Sequence, residues 1–143
     1  VTAALRVLLV DDVRLVLTSL RRVLERAGFV VAACESGAAA LALLEREGAD
    51  VVVADFMMPG MNGIDLLREV AARWPRIRRT MLTAQADKDL LDRSLADGLL
   101  HRAFAKPWDN KELVDALREL AAGATGGGGG AAAAPRPDPS RRP

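Results

Sequence analysis

Three aspartates, a threonine and a lysine are the residues of this chain whose types could do chemistry together. Asp11 and Asp12 close the stretch RVLLVDD and Asp55 closes VVVAD, while Thr83 ends IRRTMLT and Lys106 ends RAFAK, just before Pro107. Carboxylates gathered at one rim repel one another and are costly without a cation among them. Lys106 supplies one positive charge. The remaining negative charge and the oxygen donors suit a hard divalent ion, Mg²⁺ above all, which keeps part of its water and accepts a phosphoryl oxygen. A carboxylate beside such an ion and a lysine can itself accept a phosphoryl group, since both cations offset charge spread over its oxygens. Taken singly, each residue has a plainer role. Asp11, Asp12 or Asp55 can cap a helix or make a turn, Thr83 can be an ordinary strand residue, and Lys106 an exposed lysine before a turn proline.

A joint role depends on the elements that carry these residues, and the periodicity along the chain switches regularly. RVLLV (6–10) is a short apolar run, and Val13, Val16, Leu17, Leu20, Val23, Leu24 and Ala27 then recur at helical spacing until Gly28. FVVAAC (29–34) reads as a strand, and 37–47 as a helix closed by Gly48. DVVVA (50–54) is a strand followed by a helix from about Ile64 to Trp74, ended by Pro75. IRRTMLT (77–83), a short helix at 87–96, RAFAK (102–106) and a last helix around Leu113–Ala121 complete the order.

Five strand–helix units in so short a span predict a parallel sheet covered on both faces. Ligands of such sheets bind beyond the carboxyl ends of the strands. Asp11, Asp12, Asp55, Thr83 and Lys106 all sit there. Their shared placement outweighs the separate, plainer roles. The valines of VVVADFMMPGMNG (51–63) would anchor a central strand that presents Asp55, with Pro59 and Gly63 shaping the turn that follows.

Composition limits the other readings. The chain has 143 residues, half of them hydrophobic, which suits one domain with its own core. No apolar run approaches the roughly 20 residues of a membrane span, and the start reads too short for a signal peptide. Cys34 is alone, which excludes an internal disulfide and a cysteine-based zinc site and fits a reducing, cytoplasmic setting. Net charge is +1, but residues 123–143 carry +2 of it, leaving −1 for the rest, without the basic excess of a nucleic-acid module. Arg76, Arg78 and Arg79 form a local basic patch, expected to be a solvated loop and strand edge. The Gly/Ala/Pro-rich segment 123–143 is expected to be a disordered tail after a domain at 1–122.

VLLVDD, VVVADFMMPGMNG, MLTA and FAKPW, in this order and spacing, make the chain resemble a response-regulator receiver domain over residues 5 to about 122. The string Asp-x-x-Met-Pro-x-Met-x-Gly is specific, and the Lys-Pro pair 23 residues after Thr83 supports it independently. The resemblance implies a doubly wound five-stranded parallel sheet in the order 2-1-3-4-5 with helices on both faces. It implies that Asp55 accepts phosphate from a histidine kinase, and that Thr83 and Lys106 bind the phosphoryl oxygens. Asp12 and Asp55, with Asp11 acting through water and the backbone carbonyl of Met57, would hold Mg²⁺. A cis Lys106–Pro107 bond is also implied, as is an output face drawn from residues 87–122, with Leu90, Leu91, Leu95, Arg102, Phe104 and Lys111 as its candidates.

One position departs from the family pattern. Members usually carry Tyr or Phe three residues before the lysine; here that place is Ala103, and the aromatic is Phe104. One step along a strand means the opposite face, so the aromatic switch is expected to be absent unless a bulge re-aims Phe104. His101 reads as an ordinary surface residue, Trp108 as a packing residue before the last helix, and Met57, Met58 and Met61 as turn and packing residues, since thioethers suit soft metals.

Four functions compete. A single-domain regulator would signal by altered protein contacts, with no membrane or nucleic-acid partner and no catalysis beyond Mg²⁺-dependent self-phosphorylation and self-dephosphorylation. A phosphorelay intermediate would pass its phosphoryl group to a histidine phosphotransfer protein. An aspartate-nucleophile phosphatase would need a second aspartate two residues after Asp55, where Met57 stands. A degenerate receiver that binds without phosphate is disfavoured because all five site residues are present.

Overall fold

The structure is a computed structural model that describes residues 4–84 and 87–125. Among the described residues five strands and five helices alternate: β1 (Arg6–Val10), α1 (Arg14–Arg26), β2 (Val30–Cys34), α2 (Gly37–Glu47), β3 (Val51–Ala54), α3 (Gly63–Arg73), β4 (Arg78–Thr83), α4 (Lys88–Ala96), β5 (Arg102–Ala105) and α5 (Asn110–Thr125). The sheet order is β2-β1-β3-β4-β5, all parallel. This is the expected doubly wound arrangement.

Alternation along each strand divides the core into two layers. Leu8, Val10, Val52, Ala54 and Met81 face the side packed by Leu44 of α2 and by Leu67 and Val70 of α3. Val7, Leu9, Val51, Val53, Leu82 and Phe104 face the other side, with Leu17, Leu20 and Leu24 of α1 and Leu113 and Leu117 of α5. All four residues of β3 are buried, so this strand needs apolar side chains on both faces. Each valine buried there contributes roughly 1.5–3 kcal/mol of gross transfer energy. That anchor makes the residue after the strand a rigid platform.

Helix ends follow local chemistry. Ser36 caps α2 by accepting from Ala39 N at 3.1 Å, and Asn62 caps α3 by accepting from Asp65 N at 2.9 Å. Asp109 caps α5 through Glu112 N at 2.9 Å. α5 runs to Thr125, three residues past the boundary expected at 122; the tail expected from there on otherwise lies outside the described residues. Among the described residues no helix is long and apolar enough to cross a membrane.

Candidate functional site

The strand ends are extended by single ladder bonds that carry the site residues. Asp11 N donates to Cys34 O at 3.2 Å, Asp55 N to Val10 O at 2.9 Å, and Lys106 N to Thr83 O at 3.3 Å. Each of these residues lies one position beyond its strand, yet its backbone N–H still pairs with the neighbouring strand.

The structure brings the five predicted residues to this rim. Carboxylate oxygens of Asp11, Asp12 and Asp55 all lie within 4.8 Å of one another. Asp11, Asp55 and Thr83 are buried, whereas Asp12 is exposed. Lys106 Nζ stands 2.8 Å from Asp11 Oδ2 and 3.4 Å from Asp55 Oδ1. None of the aspartates takes the capping role open to it. α1 starts behind Val13 with no side-chain cap, because Asp11 turns its Oδ1 to Val13 N at 2.9 Å and its Oδ2 to the lysine. α3 is capped by Asn62, not Asp55.

Electrostatics decide what the site can hold. Three carboxylates with oxygens within 4.8 Å of one another repel, most strongly between the buried Asp11 and Asp55. One lysine offsets part of this, and solvent screens the exposed Asp12. Burial, reinforced by the charge of Asp11, raises the Asp55 carboxyl above its ordinary range although Lys106 pulls it down. Burial also favours the neutral amine of Lys106, yet the hydrogen bond and charge of Asp11, followed by those of Asp55, outweigh it and hold the ammonium above its usual range. The donor set is all hard oxygen, carries net negative charge and opens to solvent at Asp12. These residues fit a hard divalent metal ion.

The turn after Asp55 is fixed by two glycines. A Cβ on Gly63 would fall inside the contact distance of the Asp55 carbonyl and 2.9 Å from Met81 Cε, so only glycine lets α3 start so close. A Cβ on Gly37 would lie 2.7 Å from Met61 Sδ, which wedges the turn against the start of α2. Met58 and Met61 pack as expected, while the Met57 side chain is 54% exposed. The Lys106–Pro107 bond is cis. Trp108 packs against the α1/α5 side and donates to Asn110 Oδ1 at 2.9 Å.

β5 pairs with β4 in unbroken register, with Met81 opposite Ala103 and Leu82 opposite Phe104. No bulge re-aims the ring. Phe104 lies buried beneath α5 with Leu82, Leu113 and Leu117, and so drops out of the output face for which it was a candidate. The rest of that group reaches the surface to differing degrees: Leu95 is 39% exposed, Leu90 and Leu91 are half-buried, and Lys111 pairs with Asp115 at 2.7 Å.

Two expectations fail at the other end of the sheet. Arg79 is buried, not solvated, and its guanidinium binds four backbone carbonyls. His101 is half-buried and its Nδ1 accepts from Arg79 N at 2.9 Å. That bond requires the neutral tautomer with hydrogen on Nε2, so the 3.3 Å approach of Arg78 Nη1 to Nε2 is a contact between two donors. Burial, with the charges of Arg79 and Arg78, lowers the His101 imidazole to about 4.

Comparison with known proteins agrees with this geometry. Residues 7–118 match the family model for the response regulator receiver domain. Sporulation initiation phosphotransferase F of Bacillus subtilis (strain 168) is 32% identical over 114 residues, covering 80% of this chain and 91% of that protein. The hydrogenase transcriptional regulatory protein HoxA of Cupriavidus necator is 34% identical over 113 residues, 79% of this chain but 23% of HoxA. The chain thus spans about a quarter of the length of such larger relatives. Among solved structures, the CheY-like receiver domain protein of Methanospirillum hungatei JF-1 superposes with a TM-score of 0.79 at 26% identity, covering 85% of this chain and 97% of that one. The signal receiver domain of an HD domain-containing protein from Pseudomonas fluorescens Pf-5 gives a TM-score of 0.80 at 29% identity, with 85% and 98% covered. A sheet that gathers three aspartates, a threonine and a lysine at its carboxyl rim and a family match reaching from its first strand to its last lead to one assignment: the chain belongs to the response regulator receiver domain family.

Proposed function

We propose that Asp55 accepts a phosphoryl group from a phosphohistidine of a histidine kinase or a histidine phosphotransfer protein, and that the modified chain signals through altered protein contacts. The observation that carries this reading is the position of Asp55, within 4.8 Å of two other carboxylate groups and 3.4 Å from Lys106 Nζ. An Asp55 carboxylate oxygen attacks phosphorus, the N–P bond breaks, and the imidazole leaves with a proton from solvent. Asp12 and Asp55 would hold Mg²⁺, with Asp11 acting through water and the Met57 carbonyl completing the set. The ion, when bound, offsets negative charge on the phosphoryl oxygens. Lys106 binds one phosphoryl oxygen and gives up part of its contact with Asp11 to do so. Thr83 binds another through its hydroxyl.

Catalysis on this reading extends only to the chain's own phosphorylation and dephosphorylation, in the cytoplasm, where kinase and output partner reside. The output face lies within residues 87–122. A relay role, passing the group on to a second histidine, draws support from the relative named a phosphotransferase, which the chain matches over 91% of that protein's length. A hydrolase role is disfavoured because Met57, two residues after Asp55, offers no acid or base.

The test uses acetyl phosphate with Mg²⁺ and intact-mass measurement. The mass should rise by one phosphoryl group, and Asp55→Asn should prevent it. Labelling that persists in this variant sinks the assignment. Incubating the phosphorylated chain with candidate histidine phosphotransfer proteins then separates a relay from a terminal regulator.

A further inference from the structure

Arg79 is an arginine inside the sheet, 6% exposed, with Met81 two residues on along the same face of β4. Its guanidinium spans two loops. Nη1 donates to Pro75 O at 3.1 Å and Ile77 O at 2.9 Å, both just after α3. Nε donates to Leu99 O at 2.8 Å and Nη2 to Gly98 O at 3.2 Å, both just after α4. Every one of these acceptors is a backbone carbonyl. The negative ends of these four carbonyl dipoles offset the buried cation in place of a carboxylate. The backbone adds to the grip: Arg79 N donates to His101 Nδ1 at 2.9 Å, and His101 N donates to Arg79 O at 2.8 Å. Leu100, 2% exposed, lies between these contacts.

The other end of α4 is held differently. Within Lys88–Ala96 only Ser94, near the C-terminal end, is buried. Lys88 and Asp89 in the first turn are exposed, and Leu90 and Leu91 are half-buried. Thr83, the residue expected to meet a phosphoryl oxygen, ends the same strand four residues beyond Arg79.

We propose that Arg79 fixes the C-terminal end of α4 as a pivot, so that a displacement at Thr83 moves the first turns of the helix, Lys88–Arg93, and the output partner reads those turns. This rests on the phosphoacceptor reading above. The geometry suits it: two bonds of the fork hold Gly98 and Leu99, just after the helix, and two tie them to Pro75 and Ile77, whereas the first turns rest on the half-buried Leu90 and Leu91 alone, and low-burial segments are the ones that open and shift. Arg79 acts here as a positioning residue, remote from the reacting atoms.

The test is amide hydrogen exchange of the full chain, with and without Mg²⁺ and beryllofluoride, in wild type and in Arg79→Lys. Backbone NMR shifts at Asp55 and Thr83 report independently whether the phosphoryl mimic binds. In wild type, exchange over 87–93 should change on binding while that over 97–101 stays fixed. Lysine keeps the charge but cannot fork across two loops, so in Arg79→Lys the 97–101 amides should exchange at least about tenfold faster, as expected for loss of a charge-assisted hydrogen bond. The response to the mimic should then spread along all of α4. A wild-type response as large at 97–101 as at 87–93 overturns the pivot while leaving the phosphoacceptor intact. No shift at Asp55 or Thr83 overturns the phosphoacceptor reading and the pivot with it. The wild-type comparison decides the matter alone should Arg79→Lys fail to fold.

Discussion

Lys106 Nζ sits 2.8 Å from Asp11 and 3.4 Å from Asp55, so the ammonium is shared between two carboxylates and leans toward the one that is not the proposed phosphoacceptor. Asp11 is therefore occupied on both oxygens, by the lysine and by Val13 N. Asp12, exposed and on the open side of the cluster, is left as the carboxylate a solvated cation meets first.

Mg²⁺ should accordingly raise stability, because it binds the folded cluster and hardly the unfolded chain. At about 100 times its Kd the gain is roughly 2.7 kcal/mol, and Asp12→Ala should remove most of it. Lys106→Met should tighten the ion, since it removes a competing cation from Asp11 and Asp55. Thermal melts over a magnesium titration check both points. A melting temperature indifferent to magnesium counts against a metal site.

Gly63→Ala should lose about 1–3 kcal/mol, the usual cost of forcing a methyl group into a filled space. Its Cβ would meet the Asp55 carbonyl and Met81 Cε, and neither the strand end nor the buried methionine has open room. The backbone of Asp55 must give way, so phosphorylation by acetyl phosphate should slow as well. Urea midpoints and phosphorylation rates measured on one preparation test the link. Unchanged phosphorylation alongside lost stability would place the strain in α3 alone.

Much of this was legible in the sequence because it depends on local pattern. The segment 37–47 is a helix and 6–10 a strand with the bounds their periodicity gives, and each of the other four strands is one residue shorter than its run, at Phe29, Asp50, Ile77 or Lys106. The site was legible because parallel strands end at one rim, so residues far apart in sequence share an address. Arg79 was not. Alone, an arginine reads as solvated, and only the packing of the segments after α3 and α4 beside β4 supplies the carbonyls that satisfy it. His101 reads as a surface residue for the same reason, since its partner is a backbone amide 22 residues away.

His101 should make stability depend on pH. Its imidazole lies at about 4 in the folded chain, below the ordinary 6.5. A depressed value means that the unfolded chain binds the proton first. The contribution is fully present above pH 6.5 and is lost as pH falls from there toward 4. Allowing for solvent screening of a half-buried group, the loss between pH 7 and 5 should be about 1 kcal/mol. His101→Gln keeps an acceptor for Arg79 N and should flatten the profile in this window. Chemical denaturation at pH 7, 6 and 5 gives the slope, and equal slopes in both proteins would exclude His101 as its source.

Ala103→Tyr should strengthen the response of α4 to the site. Ala103 stands opposite Met81 on the face away from Phe104, and Leu90 and Leu91 of α4 pack against the core on that face. A phenol there gives β5 a side chain long enough to reach between strand and helix, which the native methyl group cannot do. Without it, coupling between Asp55 and α4 must run through Thr83 and the backbone after it, and should lie in the common range of about 1–3 kcal/mol. With it, the change in exchange over 87–93 on binding beryllofluoride should grow at least about threefold, while 97–101 stays held by Arg79. The same linkage requires the variant to bind the mimic with altered affinity, so titration of the Thr83 amide shift provides a second readout. Equal responses in the two proteins would mean that the step from Tyr or Phe to Ala103 costs this receiver nothing, and that Thr83 acts on α4 through the main chain alone.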